Sequence, residues 1–363
     1  MIKKLKKFTL QMIAGANIVT ILCMMVVGFS DRISPATFPS LSNVGLFLPV
    51  FILLNATFLV FWLMFKTRWA LIPIVGFLIC YSPIRTFFPI NLKKEMPPDA
   101  IKVLSYNVWL FAGWEFRDQP NPIYQYILDT DADIVCLQEA GTQEVKKQKE
   151  LKEAIRKKYP YRERASKGKN GDILACYSKY PIVGKEGIEY ESKNNHSSVF
   201  YINMKGDTII VVNNHFESIG LTSKEKDEFS KIVKGEVKRN EAEEGSKKLI
   251  GRLNEVSKVR APQADAVARF VDQHRDKSII LCGDFNDGPN SYTHHKLAKR
   301  LTDCYVASGN GLGFSYHHNS FYIRIDHIMC SKDWTPVKCI VDKKIDASDH
   351  YPVVCWLKKT PKP

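Results

Sequence analysis

The stretch Ile279-Ile-Leu-Cys-Gly-Asp284-Phe-Asn286-Asp-Gly-Pro289 joins an apolar, β-branched run to a turn rich in carboxylate and amide oxygens. The run has the length and composition of a buried strand. Asp-Gly-Pro makes a tight turn by itself, so Asp287-Gly288-Pro289 needs no further role. Polar groups carried at the end of a rigid strand are, however, where a site wants them. The stretch gains weight because other strand-like runs of the chain stop in the same manner.

Working outward, Ile101-Lys-Val-Leu-Ser-Tyr-Asn107 alternates and ends on an amide, and Asp133-Ile-Val-Cys-Leu-Gln-Glu139 ends on a carboxylate. Thr208-Ile-Ile-Val-Val-Asn-Asn214 runs into His215. Ile173–Tyr177, Val199–Asn203 and Phe321–Asp326 also read as strands, the last leading into Arg324-Ile-Asp326-His327. Ile345-Asp-Ala-Ser-Asp349-His350 precedes a closing strand, Val353–Leu357. Between them the sequence predicts helices over Asn121–Asp129, Glu144–Lys158 and Ala264–His274. Strands alternating with helices indicate an α/β class. Lys224–Arg260 holds eleven Lys/Arg and eight Asp/Glu, and is expected to form an exposed, charged helical insertion over about 222–260.

The first 92 residues differ from the rest. Phe8–Ser30 is free of charge behind Lys3, Lys4, Lys6 and Lys7, and the uncharged run is longer than a signal peptide needs. Val44–Phe65 is a second run long enough to span a bilayer. Trp69 to about Ile90 is a third, interrupted by Pro73, Pro83 and Arg85. Three transmembrane helices, at about 8–30, 44–65 and 69–90, are therefore expected, followed by a linker over 93–100. Residues 1–92 hold eight Lys/Arg against Asp31, a net +7, and the other half of the chain's +14 lies in residues 93–363. If the Lys3–Lys7 cluster and Lys66/Arg68 face the cytoplasm, three crossings put everything after Asn91 on the outer side, whereas two would leave it facing the cytoplasm.

The +7 of the larger part, spread over acids and bases alike, is no strong nucleic-acid signature. The nine cysteines include no C-x-x-C pair, so neither a zinc ribbon nor a disulfide scaffold is suggested. No protein partner can be read from the chain.

Collected, the run ends offer Asn107, Glu139, His215, Asp284, Asn286, Asp326, Asp349 and His350. These are hard oxygen donors with two imidazoles and no thiolate, a set that suits Mg²⁺ or Mn²⁺ better than zinc. A Lewis acid, an oriented water and donors for extra negative charge are the parts needed to attack a phosphate ester.

In this order, Ser-Tyr-Asn107, Leu-Gln-Glu139, Asn-His215, Gly-Asp284-Phe-Asn286, Arg-Ile-Asp326-His and Ser-Asp349-His350 resemble the motifs of the endonuclease/exonuclease/phosphatase superfamily. With the membrane section, the chain resembles a branch common in bacterial genomes. The resemblance implies a DNase I-like four-layer α/β/β/α sandwich over residues 101–363. It implies Glu139 as principal metal ligand with Asn107 beside it, and Asp349 at the metal or lining the site. It also implies Asp284 orienting or deprotonating the attacking water, Asn286 on the phosphoryl oxygens, and Asp326 fixing the tautomer of His350. His215 matches the phosphodiesterase and sphingomyelinase-like branches, where nucleases of abasic DNA carry a tyrosine. Trp109 replaces an acid found in some nucleases. The expected protein is thus a Mg²⁺- or Mn²⁺-dependent phosphodiesterase on the periplasmic side of an inner membrane, held by the lipid bilayer. A nuclease on the same side is the alternative, and a silent binding protein of the same fold is the less favoured one.

Overall fold

The computed structural model describes residues 1–117, 119–141, 148–168, 171–318 and 321–360. In chain order, the N-terminal part contains α1 (Ile2–Gly28), the short α2 (Pro39–Ser42), α3 (Leu48–Phe65), α4 (Leu71–Ile79) and α5 (Tyr81–Phe87). Next come β1 (Ile101–Asn107), α6 (Pro122–Thr130), β2 (Ile134–Gln138), α7 (Lys149–Lys158), β3 (Tyr161–Ser166), β4 (Ile173–Ser178), β5 (Ile182–Ile188), β6 (Ser197–Met204) and β7 (Asp207–His215). The chain continues with α8 (Ser223–Val233), α9 (Arg239–Gln273), β8 (Ser278–Asp284), α10 (Tyr292–Ala298), β9 (Thr302–Asp303), α11 (Cys304–Ser308), β10 (Asp326–Cys330), β11 (Trp334–Val341) and β12 (Val353–Lys359).

Two six-stranded mixed sheets form, ordered β11-β12-β1-β2-β4-β3 and β5-β6-β7-β8-β10-β9. Their inner faces meet in one apolar core that includes Val103, Ile134, Cys136, Phe200, Val211, Ile280 and Cys282. Outside the first sheet, Ile123 and Ile127 of α6 and Ile155 of α7 pack on Leu104, Val135 and Leu137. Outside the second, Val267, Phe270 and Val271 of α9 pack on Val212, Ile279 and Leu281. The layers are therefore helix, sheet, sheet, helix, as the family resemblance implies. Burial on both faces explains why the central strands are apolar runs with little alternation.

Two expectations are corrected and a third is refined. Phe321–Asp326 is not a strand: the strand starts at Asp326, and upstream only Ile323 bridges Tyr316. β10 runs antiparallel to β8 with Asp326 opposite Asp284, so its beginning lies where β8 ends. The charged helices do not stop near residue 260. α9 runs unbroken for 35 residues with Pro262 inside it, and its C-terminal half is core. The third apolar run is not one straight helix, since Thr67–Ile79 and Tyr81–Phe87 meet at 66°. Pro83 lies in the first turn of α5, where its ring excludes a helical continuation from α4. The predicted helix Glu144–Lys158 is present over Lys149–Lys158, and residues 144–147 lie outside the described residues.

Two N-terminal helical segments, Ile2–Arg32 and Pro39–Phe65, are long and apolar enough to cross a membrane. A polar tie joins them: Asn17 Nδ2 donates to Asn55 Oδ1 at 3.0 Å, and Trp62 Nε1 donates to Asn17 Oδ1 at 3.2 Å. Asn55 Nδ2 completes it by donating to the Pro73 carbonyl at 2.9 Å, bringing in α4. Ala14, Trp62 and Ala70 cluster at one end of the bundle, and Met24, Val27, Leu48 and Cys80 at the other. The bent α4–α5 pair thus traverses the bundle from end to end.

The second end of the bundle is docked on the sandwich. Asn43 Nδ2 donates to Asn254 Oδ1 of α9 at 2.8 Å, and Ser257 Oγ donates to Asn43 Oδ1 at 3.0 Å. Asn290 Nδ2 donates to the Pro83 carbonyl at 3.1 Å. Buried Arg324 donates to the Leu312 carbonyl at 2.8 Å and to the Thr86 carbonyl, tying α5 down. The arginine of the Arg-Ile-Asp-His motif is therefore a structural strut.

Candidate active site

β1 and β2 are parallel neighbours in the first sheet, as are β7 and β8 in the second. Their carboxyl ends point the same way, and ligands of open α/β sheets gather at such ends. Register fixes the partners: Asn107 stands opposite Gln138, His215 opposite Asp284, and Asp284 opposite Asp326. Under this floor the sheets are joined by Gln138 Nε2 donating to Asn213 Oδ1 at 2.6 Å, while Asn213 Nδ2 donates to the Leu137 carbonyl at 3.0 Å.

Asp284 lies at the centre and is 1% exposed. Its Oδ2 accepts Asn107 Nδ2 at 3.1 Å and lies 3.6 Å from Nε2 of both His215 and His350. Its Oδ1 accepts the Asn286 amide at 2.7 Å. Each imidazole is held from behind. His215 Nδ1 meets Asp172 Oδ2 at 2.6 Å, and His350 Nδ1 meets Asp326 Oδ2 at 2.7 Å. A carboxylate accepts only, so each Nδ1 carries a proton and each Nε2 faces the cleft.

Glu139, half-buried beside His215, accepts Asn107 Nδ2 at 3.1 Å and lies 3.9 Å from His215 Nε2. Its backbone φ of +52° turns the chain sharply after β2, and the Leu110 amide donates to its carbonyl at 3.0 Å. Asn107 therefore faces both carboxylates with its nitrogen, and its Oδ1 accepts the Trp109 amide at 3.1 Å. In this orientation it bridges the acids as a donor. Asn286, also left-handed at φ +51°, spends one amide hydrogen on the Phe216 carbonyl at 3.0 Å. Phe285 is fully buried, packed on Phe216 and His327.

The electrostatics follow from crowding. Burial raises the Asp284 carboxyl above its ordinary range, partly offset by His350 and His215. Burial likewise raises Glu139, with Asp172 and Asp349 adding to the effect and His215 opposing it. Burial disfavours charge on His215, but Asp172 outweighs it with help from Asp284 and Glu139, and its pKa is pushed up to about 9. For His350 burial is overcome by Asp326 and Asp284, giving about 10. The centre thus holds carboxylates with two imidazolium donors between them.

Three participants were not visible in the sequence. Asp172, 9% exposed at its side chain, stands just before β4 and supports His215. Tyr316 sets its ring edge-on to His350 at 5.1 Å between centroids. Lys226, from α8, reaches within 4.0 Å of Asp349 Oδ2 and 5.6 Å of the Tyr316 ring. Only the Gly171-Asp172 dipeptide before an apolar run hints at the first; the others carry no local signal.

The donor set fits a hard divalent cation. The ligand atoms of Asp284, Asp326 and His350 all lie within 4.8 Å of one another, and Glu139 shares the Asn107 amide with Asp284. No thiolate is present, since the cysteines other than Cys23 are buried elsewhere in the cores. A second buried group, His294, Asp303 and His327, is equally compact. There His294 Nε2 bonds Asp303 Oδ2 directly at 2.6 Å, which accounts for the pair as a structural contact.

Residues 104–350, more than half of the chain, match the model of the Endonuclease/Exonuclease/phosphatase family. The chain belongs to that family. Endonuclease/exonuclease/phosphatase proteins are hydrolases of phosphate esters and generally use divalent metals. Residues 10–87 match a second model, described as a domain of unknown function (DUF8431). Among solved structures, the human Nocturnin catalytic domain with bound sulfate anion is similar at 17% identity and a TM-score of 0.52, over 75% of this chain and 97% of that one. The endonuclease/exonuclease/phosphatase from Beutenbergia cavernae is similar at 17% identity and a TM-score of 0.50, over 72% of each chain. At such identities the likeness is one of fold. No curated protein sequence matches the chain.

Proposed function

We propose that the chain is a membrane-anchored, Mg²⁺- or Mn²⁺-dependent phosphodiester hydrolase acting on an ester at the bilayer surface. The observation that carries this reading is the symmetric placement of His215 and His350, each 3.6 Å from Asp284 and each braced by its own buried carboxylate. Asp284, with its carboxyl raised by burial, is suited to orient a water and accept its proton. The two Nε2–H groups are preorganised donors toward phosphoryl oxygens, and Asn286 offers its second amide hydrogen from the adjoining turn. Glu139, with Asp349, would hold the metal, and the ion would supply Lewis-acid stabilisation of the phosphate.

This assignment gives a bell-shaped pH profile. Activity rises as Asp284 loses its proton and falls as the imidazolium donors lose theirs, near pH 9 to 10. Asp326 supports the charge of His350, so Asp326→Asn is expected to move the alkaline limb to lower pH as well as lower the rate. An unmoved alkaline limb in kcat/KM profiles sinks the role given to that pair. Lys226 meets the site through Asp349 and the Tyr316 ring, and its position at the rim suits a phosphate oxygen of the substrate. Lys226→Ala is expected to raise KM about 10-fold, the scale of one charge-assisted hydrogen bond, with kcat little changed. Steady-state kinetics on a soluble diester check this.

The membrane arrangement supports a surface substrate. The Lys3–Lys7 and Lys66/Arg68 ends of the segments lie opposite the end that carries the sandwich. By the distribution of positive charge the sandwich then lies outside the cytoplasm. A nuclease is the second reading, favoured by an aromatic rim in which Trp109 meets Trp114 edge-on at 4.5 Å beside the site, a surface on which bases could stack. The test is a panel with full-length protein in micelles: bis(p-nitrophenyl) phosphate, phospholipid vesicles and single-stranded DNA, with Mg²⁺ or with EDTA. Hydrolysis of the diester and the lipid in Mg²⁺ alone is expected. Preferential cleavage of DNA supports the nuclease, and no cleavage of any substrate overturns both.

A further inference from the structure

Away from the catalytic centre, Arg32, Tyr292, His295, Lys296, Lys299 and Arg300 line an open cleft of about 510 Å³ between the first helical segment and α10. All six are polar and four carry full positive charge. Some of that charge is matched: Lys296 pairs with Asp265 at 2.8 Å, Arg300 with Asp272 at 2.7 Å, and His295 with Asp31 at 3.0 Å. Asp272 is shared with Arg275 at 3.0 Å. Among the described residues no carboxylate pairs with Arg32 or Lys299, and both are exposed. Arg300 Nε is buried and, among the described residues, lacks a hydrogen-bond partner. Arg32 and Lys299 therefore bring cationic donors with no carboxylate partner among the described residues to one space, beside Arg300, which Asp272 holds. Its volume is within the range of small-molecule sites.

The position says what could fill it. Arg32 closes the first membrane-length segment, Ile2–Arg32, with its guanidinium 4.5 Å above the Phe29 ring. It lies at the bundle end that docks on the sandwich, which is headgroup level if that segment spans a bilayer. Basic side chains at that level draw anionic lipids, and aromatic rings are at home there.

We propose that this cleft binds the phosphate of an anionic phospholipid headgroup, seating the catalytic part on the leaflet. The inference rests on the membrane reading given above and does not depend on which ester is hydrolysed. Arg32 and Lys299 supply the unpaired charge, while Tyr292, whose hydroxyl donates to Asp265 at 3.0 Å and accepts from Lys296 Nζ at 3.0 Å, forms part of the wall.

The test uses full-length protein in neutral maltoside micelles at fixed ionic strength. Thermal unfolding is followed with dihexanoyl-phosphatidylglycerol, dihexanoyl-phosphatidylcholine or inorganic phosphate at equal concentrations. The anionic lipid is expected to raise Tm by several degrees, and the other two to leave it in place. The double variant Arg32→Gln/Lys299→Gln is expected to lose the shift, and Arg32→Lys/Lys299→Arg to keep it. Hydrolysis of the soluble diester should be unchanged in both. The proposal falls if phosphatidylglycerol gives no shift, if phosphatidylcholine matches it, or if the Gln variant keeps it. An equal shift with inorganic phosphate would assign the cleft to a soluble anion and overturn the lipid. Because diester hydrolysis is read separately, an inactive parent would count against the proposed chemistry alone.

Discussion

Asp284→Asn is expected to lower the rate of phosphodiester hydrolysis by about 10²- to 10⁴-fold, the range for a general base. The substitution keeps the shape of the side chain and its acceptor toward the Asn286 amide, while removing the charge that faces His215, His350 and Asn107. The fold should survive, because Asp284 Oδ1 can be replaced by an amide oxygen and the backbone bond from Phe216 to the Asp284 carbonyl is untouched. Losing the carboxylate also removes a neighbour that holds both histidines charged, so their pKa values should drop. Rates on a soluble diester, with a circular-dichroism check of folding, measure this. A variant as active as the parent would remove Asp284 from the chemistry.

Gly283→Ala is expected to destabilise the protein by about 3 kcal/mol or more, the scale of a clash imposed at a special backbone position. Gly283 has φ +131°, where a side chain is strained, and its Cβ would stand 1.9 Å from the Asn214 carbonyl oxygen. That contact is with backbone of the paired strand β7, so no side chain can move aside. Because Gly283 immediately precedes Asp284 within β8, relief could come only by separating the two strands that carry His215 and Asp284. Chemical unfolding in micelles should show the loss, together with lower activity in whatever fraction folds. An unchanged unfolding midpoint would contradict the close approach of the two strands.

Much of the site is legible in the sequence because buried strands have a plain signature and a polar residue ending one stands out. Asn107, Glu139, His215 and Asp284 are all of this kind. Asp326 is recognisable from its motif although its strand begins there instead of ending there. Antiparallel pairing with β8 brings a strand's first residue to the same place as its neighbour's last. Asp172 is hidden because it precedes a strand and gains meaning only when β4 pairs antiparallel with β2. Lys226 is one of eleven basic residues in a charged stretch, and only the placement of α8 over Asp349 singles it out. The long α9 is misjudged for the opposite reason. Gly245, Gly251 and Pro262 argue locally for breaks, yet packing of its second half on the sheet holds the helix together. β3, at the edge of its sheet and exposed on alternate residues, reads Tyr-Arg-Glu-Arg-Ala-Ser and has no apolar run to betray it.

The central claim is that the strand ends form one metal-dependent phosphodiesterase site. It is tested most directly by the initial rate of bis(p-nitrophenyl) phosphate hydrolysis by full-length protein and by Glu139→Gln, measured in Mg²⁺, after EDTA and after Mg²⁺ is returned. The account predicts hydrolysis by the parent in Mg²⁺, its loss in EDTA, its recovery on return of the ion, and little activity at any stage in Glu139→Gln. Hydrolysis that survives EDTA, or a Glu139→Gln protein as active as its parent, would contradict it.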